Sequence, residues 1–345
     1  MYINKAFELV KWTEGQTGMN PAVGCVIVKD DRIVGIGAHL TEGEAHAEVN
    51  AINMAGTHAQ GATLYCTLEP CSHHGKTPPC TEKIVSAGIS KVVYAASDVT
   101  LSSGVSYMQS KGIEVEKVED DAEDDAIDAF YAPFFKSKTA SVPYVTIKMA
   151  TTIDGKTADD ESISKWITND KSRAHAHRVR YGMDAILVGY NTYKKDTPTL
   201  DARLYKDKRI YKVIVTNGPF VLNTQDDNDY DRSRLIVISA IEQHIEGVTI
   251  IHVPHLSPED ILKALYNERI RNLLIEGGMQ TIRSFIEAQC YNEIHHYIAP
   301  KLLGGTSKHQ FLTTDTLSSM RDMTHFNLVS VNQFDDDVLL IYRKA

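Results

Sequence analysis

His46-Ala47-Glu48, then Pro70-Cys71, then Cys80 constrain this chain more than any other feature. One His and two Cys are three ligands of the kind that zinc takes. A structural zinc closes its tetrahedron with a fourth protein ligand, whereas a catalytic zinc keeps that position for water. Zinc lowers the pKa of such a water towards neutrality, so three ligands read as chemistry rather than scaffolding. Glu48 is then placed to carry protons and not to bind metal. The fold must bring these separated stretches to one point.

The local pattern shows how. Residues 1–17 read as a helix with Ala6, Phe7, Leu9 and Val10 on its apolar side. Val23–Val28 and Ile33–Gly37 read as a hairpin around Asp30-Asp31. His46–Ala55 reads as a helix with His46 and Glu48 in its first turn. Thr63–Leu68 is a buried strand that ends at Glu69-Pro70, so Cys71 lies on the following loop. Cys80–Ala87 is the next helix, stopped by Gly88, and Lys91–Ala96 and Ile113–Val118 are strands. The metal therefore sits at helix N-termini, whose partial positive charge helps keep thiolates ionised.

Glu119–Asp125 is an acidic run that reads as the solvated start of a helix. A boundary is expected near Ser137–Val142, a short polar segment before Pro143, which gives domains at 1–140 and 141–345. The second opens with a strand at Tyr144–Ala150, a helix at Asp170–Tyr181 and a strand at Asp184–Val188. Val213–Thr216, Leu235–Ser239 and Leu273–Glu276 are further apolar strands, so this half reads as alternating α/β on a mainly parallel sheet. Leu273–Met279 runs from strand through Gly277-Gly278 into a helix, a place where free N–H groups can hold phosphate. Two adjacent glycines equally suit a plain tight turn. No Gly-x-Gly-x-x-Gly is present, so a Rossmann assignment is unsupported.

Composition narrows the partners. A formal net charge of −9 without a basic stretch argues against nucleic acid. No run of eighteen apolar residues suggests a membrane span, and Met1-Tyr2-Ile3-Asn4-Lys5 does not open like a secretion signal. Five Cys make no disulfide framework, and a thiolate metal site suits a reducing cytosol. The expectation is a cytoplasmic homo-oligomer that acts on a small molecule.

The spacing from Cys71 to Cys80 is unusual, since base deaminases mostly carry Cys-x2-Cys and here eight residues intervene. The run Thr67-Leu68-Glu69-Pro70-Cys71-Ser72-His73-His74-Gly75-Lys76-Thr77-Pro78-Pro79-Cys80 resembles the pyrimidine deaminase of riboflavin biosynthesis, as does Asn20–Val28. In that family the deaminase is commonly fused to a reductase. Lys148, Thr152–Lys156, Ser164–Thr168, Arg180, Asp184–Gly189, Asp196-Thr197-Pro198, Arg203, Glu276-Gly277-Gly278 and Ala299–Gly305 resemble the reductase half.

The resemblance implies an α/β chain with a cytidine-deaminase-like zinc domain followed by a dihydrofolate-reductase-like domain. It implies one Zn2+ per chain on His46, Cys71 and Cys80, Glu48 as the proton carrier, and NADPH in the second half. The substrate is a pyrimidine phosphoriboside. Asn20, Ser164, Arg180, Leu200, Arg203 and Glu276 would bind it, and Lys148 would donate a proton near the sugar. Ala150, Trp166, Thr192, Asp196 and the turn Gly278, Met279, Gln280, Thr281, Ile282, Arg283, Ser284 would contact NADPH. Thr216 and Asn217, at the end of a strand, are expected to offer neutral donors to the 2′-phosphate. A free nucleoside, nucleobase or tRNA deaminase with an accessory domain is the rival reading. It shares the zinc chemistry and leaves the second half unexplained.

By residue type alone, Arg180 and Arg203 read as surface ion pairs and Trp166 as core. His39 and His58 read as surface, His175 and His177 as solvated, and Cys25 and Cys66 as small buried hydrophobes. Cys290 has no evident partner. His73 and His74 are not expected to bind zinc, while His73, Lys76 or Thr77 would contact substrate. Three departures from the family pattern stand out. Thr197 replaces an Asp, Ser162 stands where Gly is usual, and Asp98-Val99-Thr100-Leu101 keeps only the Asp of an Asp-Pro-Asn-Pro-like loop.

Overall fold

The computed structural model describes residues 2–99, 103–118, 122–203, 209–305, 309–312, 319–321 and 323–344. It divides into two compact units, Met1–Ala140 and Ser141–Ala345.

In the first unit the elements are α1 (Tyr2–Thr13), β1 (Gly24–Lys29), β2 (Arg32–Ala38), α2 (Ala47–Ala55), β3 (Thr63–Leu68) and α3 (Cys80–Ser86). They continue with β4 (Lys91–Ala96), α4 (Val105–Ser110), β5 (Glu114–Lys117) and α5 (Ala122–Ala140). The sheet runs β2-β1-β3-β4-β5. β1 is antiparallel to β2 and β3, and β3, β4 and β5 are parallel. Asp30 and Asp31 both take positive φ, which gives the two-residue hairpin the twist of its strands. α1 stops at Thr13 rather than residue 17, because Glu14-Gly15-Gln16 forms a turn.

Two contacts place the metal ligands. A Cβ on Gly35 or Gly37 would lie 2.3 Å from Ala51 O or 2.2 Å from Ala47 O. α2 can therefore lie directly on β2, and its start is brought over the sheet. Ala47, Ala51, Leu64 and Ile84 belong to the core of this unit, all fully buried. Cys25 and Cys66 face each other across β1 and β3 in the same core.

α5 corrects the expected linker. Ser137 and Lys138 are helical, and Ser137 is 1% exposed. Ile127 and Tyr131 reach the core and Phe130 and Phe135 pack against it, so an apolar side keeps the segment helical up to Ala140. Glu119, Asp120 and Asp121 of the acidic run lie outside the described residues, as do Thr100 and Leu101.

The second unit holds β6 (Tyr144–Thr152), α6 (Asp170–Tyr181), β7 (Ala185–Gly189), α7 (Tyr190–Asp196), β8 (Tyr211–Thr216), α8 (Asp229–Arg232) and β9 (Leu235–Ser239). β10 (Thr249–His252), α9 (Pro258–Asn267), β11 (Asn272–Gly277), α10 (Met279–Glu287), β12 (Glu293–Ala299), β13 (Phe326–Phe334) and β14 (Asp337–Lys344) follow. The sheet order is β10-β9-β8-β7-β11-β6-β12-β14-β13. The first seven strands in that order are parallel, and β14 and β13 join antiparallel. Parallel strands are covered on both faces, which is why β7 and β9 read as unbroken apolar runs. Val145, Ile147 and Leu273 lie in one core, and Ile186, Val188 and Leu274 in another. Among the described residues no helix is long and apolar enough to cross a membrane.

Candidate active sites

In the first unit His46 caps α2, Cys80 opens α3, and Cys71 follows the Glu69-Pro70 end of β3. His46 is thus the residue before the helix and not within its first turn. Its Nδ1 lies 3.5 Å from Cys71 Sγ and 3.3 Å from Cys80 Sγ. All three ligand atoms fall within 4.8 Å of one another. A tetrahedral zinc separates such atoms by about 3.5–3.8 Å, so the residues fit the ion. The other ring nitrogen, Nε2, sits 3.4 Å from Thr77 Oγ1, the kind of outer contact that fixes a ligand's ring. The Cys71 thiol is drawn down to about 4 by a hydrogen bond from Cys80 and by His46 beside it.

Glu48 is 3% exposed and hydrogen-bonds Cys80. Burial, then the Cys71 sulfur, pushes its carboxyl up to about 7. A carboxyl poised there can both take and return a proton near neutrality.

The pocket above these groups is lined by Asn20, His73, Lys76 and Thr77, all on the page from sequence, and by Asp98. It is also lined by His39, Glu42, Phe134 and Lys138, which sequence reasoning missed. His39 is a correction. It is 2% exposed, its ring centroid lies 5.1 Å from that of His46, and its Nε2 is 3.1 Å from Asn20 Nδ2. The chain leaving β2 turns it inward, and no periodicity marks a residue just past a strand end. His74 instead points to Glu82, 3.6 Å away on the exposed surface, and His58 is exposed as expected.

In the second unit Arg180 on α6 meets Glu276 on β11 through two bonds, at 2.8 and 2.5 Å. Arg180 also donates to Asp201 O at 3.0 Å. Burial opposes the Glu276 charge, yet Arg180 overrides it and holds the carboxyl below its ordinary range. Lys148 on β6 places its Nζ 5.6 Å from the Tyr297 ring centroid. Burial lowers its pKa, against the pull of Glu276. Tyr297 OH is 2.7 Å from His175 Nδ1, and His177 Nδ1 is 3.2 Å from Asp201 O, so neither histidine is a free surface group. α6 lies on the sheet here and carries them inward.

The other residues differ in exposure. Leu200 is 1% exposed and packs in the core, so its side chain faces away from solvent. Trp166 is 65% exposed, with the Arg173 guanidinium 4.3 Å from its ring centroid, and is no core residue. Ser164 is exposed. Arg203 is exposed and held by Thr199 and Asp201. Cys290, partly buried, hydrogen-bonds Glu259, and burial pushes its thiol up to about 11.

The motifs Thr152–Lys156 and Ala299–Gly305 meet in space. Asp154 accepts N–H bonds from Leu303 at 3.2 Å and Gly304 at 2.8 Å, and Lys301 Nζ donates to Ile167 O at 2.6 Å. Ser162 has φ +66°, the left-handed region that explains the glycine usual there.

A second convergence forms at the C-terminal ends of β7 and β11. A Cβ on Gly189 would lie 2.7 Å from Thr281 Oγ1, and one on Gly278 (φ +75°) 3.0 Å from Thr192 Oγ1. Two hydroxyls thus close on a glycine turn that opens α10, beside its free N–H groups. This cradle fits a dinucleotide phosphate. Met279, Gln280 and Thr281 belong to that first turn. Ile282 follows them with its side chain turned into the core at 2% exposure. Arg283 pairs with Glu287 at 2.8 Å and Ser284 bonds Thr281 O, so both bond within α10. Asp196 is half-buried at the end of α7, and Ala150 is half-buried on β6 against Tyr297 and Leu339. Asn217 is exposed after β8, while the Thr216 hydroxyl is engaged with Gly218. Lys212 is buried against Asp226 and Asp231, away from solvent.

A three-ligand metal cluster beside a buried glutamate, and a separate α/β unit with a glycine turn opening a helix, fit a zinc-dependent deaminase joined to a reductase. Residues 1–96 match the cytidine and deoxycytidylate deaminase zinc-binding region, and residues 143–340 match the RibD C-terminal domain. The riboflavin biosynthesis protein RibD of Bacillus amyloliquefaciens is 38% identical, over 98% of this chain and 94% of its own length. That of Escherichia coli is 30% identical over 98% and 97%. The solved structure of Acinetobacter baumannii RibD superposes with TM-score 0.89 at 32% identity, covering 100% of this chain and 98% of its own. The deaminase/reductase of Thermotoga maritima gives 0.88 at 34%, with the same coverage.

The chain belongs to the RibD family of riboflavin biosynthesis, whose members are bifunctional deaminases and reductases. Its fold is a cytidine-deaminase-like unit followed by a dihydrofolate-reductase-like unit.

Proposed function

We propose that residues 1–140 remove the 2-amino group of 2,5-diamino-6-(5-phosphoribosylamino)pyrimidin-4(3H)-one as ammonia. Residues 141–345 then convert the ribosyl side chain to ribityl with NADPH. The observation that carries this reading is the buried Glu48 beside His46, Cys71 and Cys80, in the same chain as the Arg180–Glu276–Lys148 cluster. The relative from Thermotoga maritima is named for both activities.

A zinc ion on His46, Cys71 and Cys80 supplies Lewis acidity and an activated water when bound. Glu48 takes the proton that water gives up and delivers it to the departing amine. Asn20 and His39, bonded to each other at the pocket wall, orient the pyrimidine. In the second unit NADPH supplies the hydride. The N–H groups of α10's first turn, with Thr192 and Thr281, hold a cofactor phosphate. Asn217, Asp196, Ala150 and the exposed Trp166 line the remaining path of the cofactor. Arg180 and Glu276 form a rigid polar wall for the sugar phosphate, which Ser164, Arg203 and the backbone at Leu200 extend. Lys148 donates the proton that balances hydride transfer, and its lowered pKa suits a donor.

The thiolate ligands suit a cytoplasmic enzyme, and sedimentation of the full chain reads its self-association. Zinc-loaded protein with the pyrimidine substrate should release ammonia without NADPH and yield the ribityl product only with it, as identified by mass. No ammonia from zinc-replete protein would sink the proposal.

A further inference from the structure

We infer that Lys138 binds the phosphate of the substrate in the deaminase pocket, so that this site selects a phosphorylated pyrimidine riboside over the free riboside. The inference rests on the deaminase reading above and assigns it a specificity residue.

Two lysines line that pocket, Lys76 and Lys138. Lys76 is committed, with its Nζ 2.9 Å from Glu42 Oε1. The other oxygen of Glu42 accepts the Met19 N–H at 3.1 Å, so this pair ties the eight-residue Cys71–Cys80 insert to the loop before Asn20. Lys138 differs. Among the described residues it has no ion pair and no hydrogen bond. Its Nζ lies 5.4 Å from the centroid of Phe134, one turn earlier on α5, which lines the same pocket.

Charge bookkeeping shows why a free cation is needed. A divalent ion on two thiolates and one neutral imidazole is neutral in sum. Lys76 and Glu42 cancel. Glu69 accepts from Ser103 Oγ at 2.5 Å and Gly104 N at 3.0 Å, neutral donors that leave its charge in place. Glu69 therefore leaves negative charge on the same wall. A phosphate ester, carrying roughly −1.5 to −2 near neutrality, would be repelled by such a wall. Lys138 reverses that locally. It stands on the last turn of a nineteen-residue helix whose Tyr131 is fully buried, so its backbone is fixed before substrate arrives. An ammonium on a rigid element, without a competing carboxylate, binds phosphate at lower cost than one that must first leave a partner.

The test uses the full-length, zinc-loaded chain with two substrates, the pyrimidine phosphoriboside and its dephosphorylated form. Lys138→Ala should lose about 10- to 100-fold in deaminase kcat/KM on the phosphorylated substrate, mostly through KM, as expected for one charge-assisted hydrogen bond. It should be unchanged on the dephosphorylated one. Lys138→Arg should keep most of the activity, and inorganic phosphate should inhibit wild type more than Lys138→Ala. Reductase activity on the deaminated substrate, and zinc content, should match wild type. Equal loss on both substrates, or no loss on either, overturns the assignment of Lys138. Wild-type protein that holds zinc but releases no ammonia overturns the deaminase reading itself, and this inference with it.

Discussion

The guanidinium of Arg180 meets the carboxylate of Glu276 end to end, Nε to Oε1 at 2.8 Å and Nη2 to Oε2 at 2.5 Å. The two side chains are only 16% and 6% exposed, so a helix is tied to a sheet strand by charges that water scarcely screens. Breaking one side of such a pair leaves a buried charge uncompensated.

Glu276→Gln should therefore destabilise the second unit by about 3 kcal/mol and abolish most reductase activity while deamination continues. The difference should depend on pH. Glu276 has its folded pKa held below the unfolded value of about 4.3, so its contribution is complete above that value. It is lost as pH falls through the lower folded pKa. Thermal unfolding of both proteins should differ by a constant amount from neutral pH to about 5 and converge below 4. A gap that persists unchanged to pH 3 would show that Arg180 does not hold Glu276 ionised.

Cys71→Ser and Cys80→Ser should each lose zinc and deaminase activity together. Glu48→Gln should keep zinc yet lose about 10²–10⁴ in deamination rate, the span of a general acid/base. Metal analysis beside ammonia release separates these cases, and near-normal turnover in zinc-replete Glu48→Gln would remove Glu48 from proton transfer.

Gly278→Ala probes the cofactor cradle. Its φ of +75° strains any Cβ, and that carbon would press on Thr192 Oγ1 at 3.0 Å. KM for NADPH should rise about ten-fold, roughly the loss of one phosphate hydrogen bond, with deamination intact. Wild type should prefer NADPH to NADH, and equal kcat/KM with both would sink that choice of cofactor.

A fragment ending at Ala140 should bind zinc and deaminate. One ending at Ala132 should lose activity, because Phe134 and Lys138 line the pocket from the last turns of α5. Equal activity in the two fragments would show that those turns do not contribute to the site.

The metal site was legible in the sequence because its chemistry is local. His46, Glu48, Cys71 and Cys80 each have a type and spacing that admit few other uses, and strand ends mark where they lie. β3, β4, β9 and α6 were legible to the residue, since unbroken apolar runs and capped charged helices are written in short windows. α5 was not. Its end looked like a polar linker because the core that Tyr131 and Phe135 pack against comes from strands far away in sequence.

Residue type carries no direction, so His39, Lys138, Leu200, Trp166 and Ile282 needed tertiary structure. His39 and Trp166 read as surface and core and are the reverse. Leu200 and Ile282 belonged to matching motifs but turn their side chains inward. Lys138 is one of 36 basic residues, and the pocket beside it and, among the described residues, the lack of a carboxylate partner set it apart. By itself the sequence determined which atoms can bind zinc and which elements form. Tertiary structure decided which side chains reach those atoms, because burial and charge pairing are set by neighbours distant along the chain.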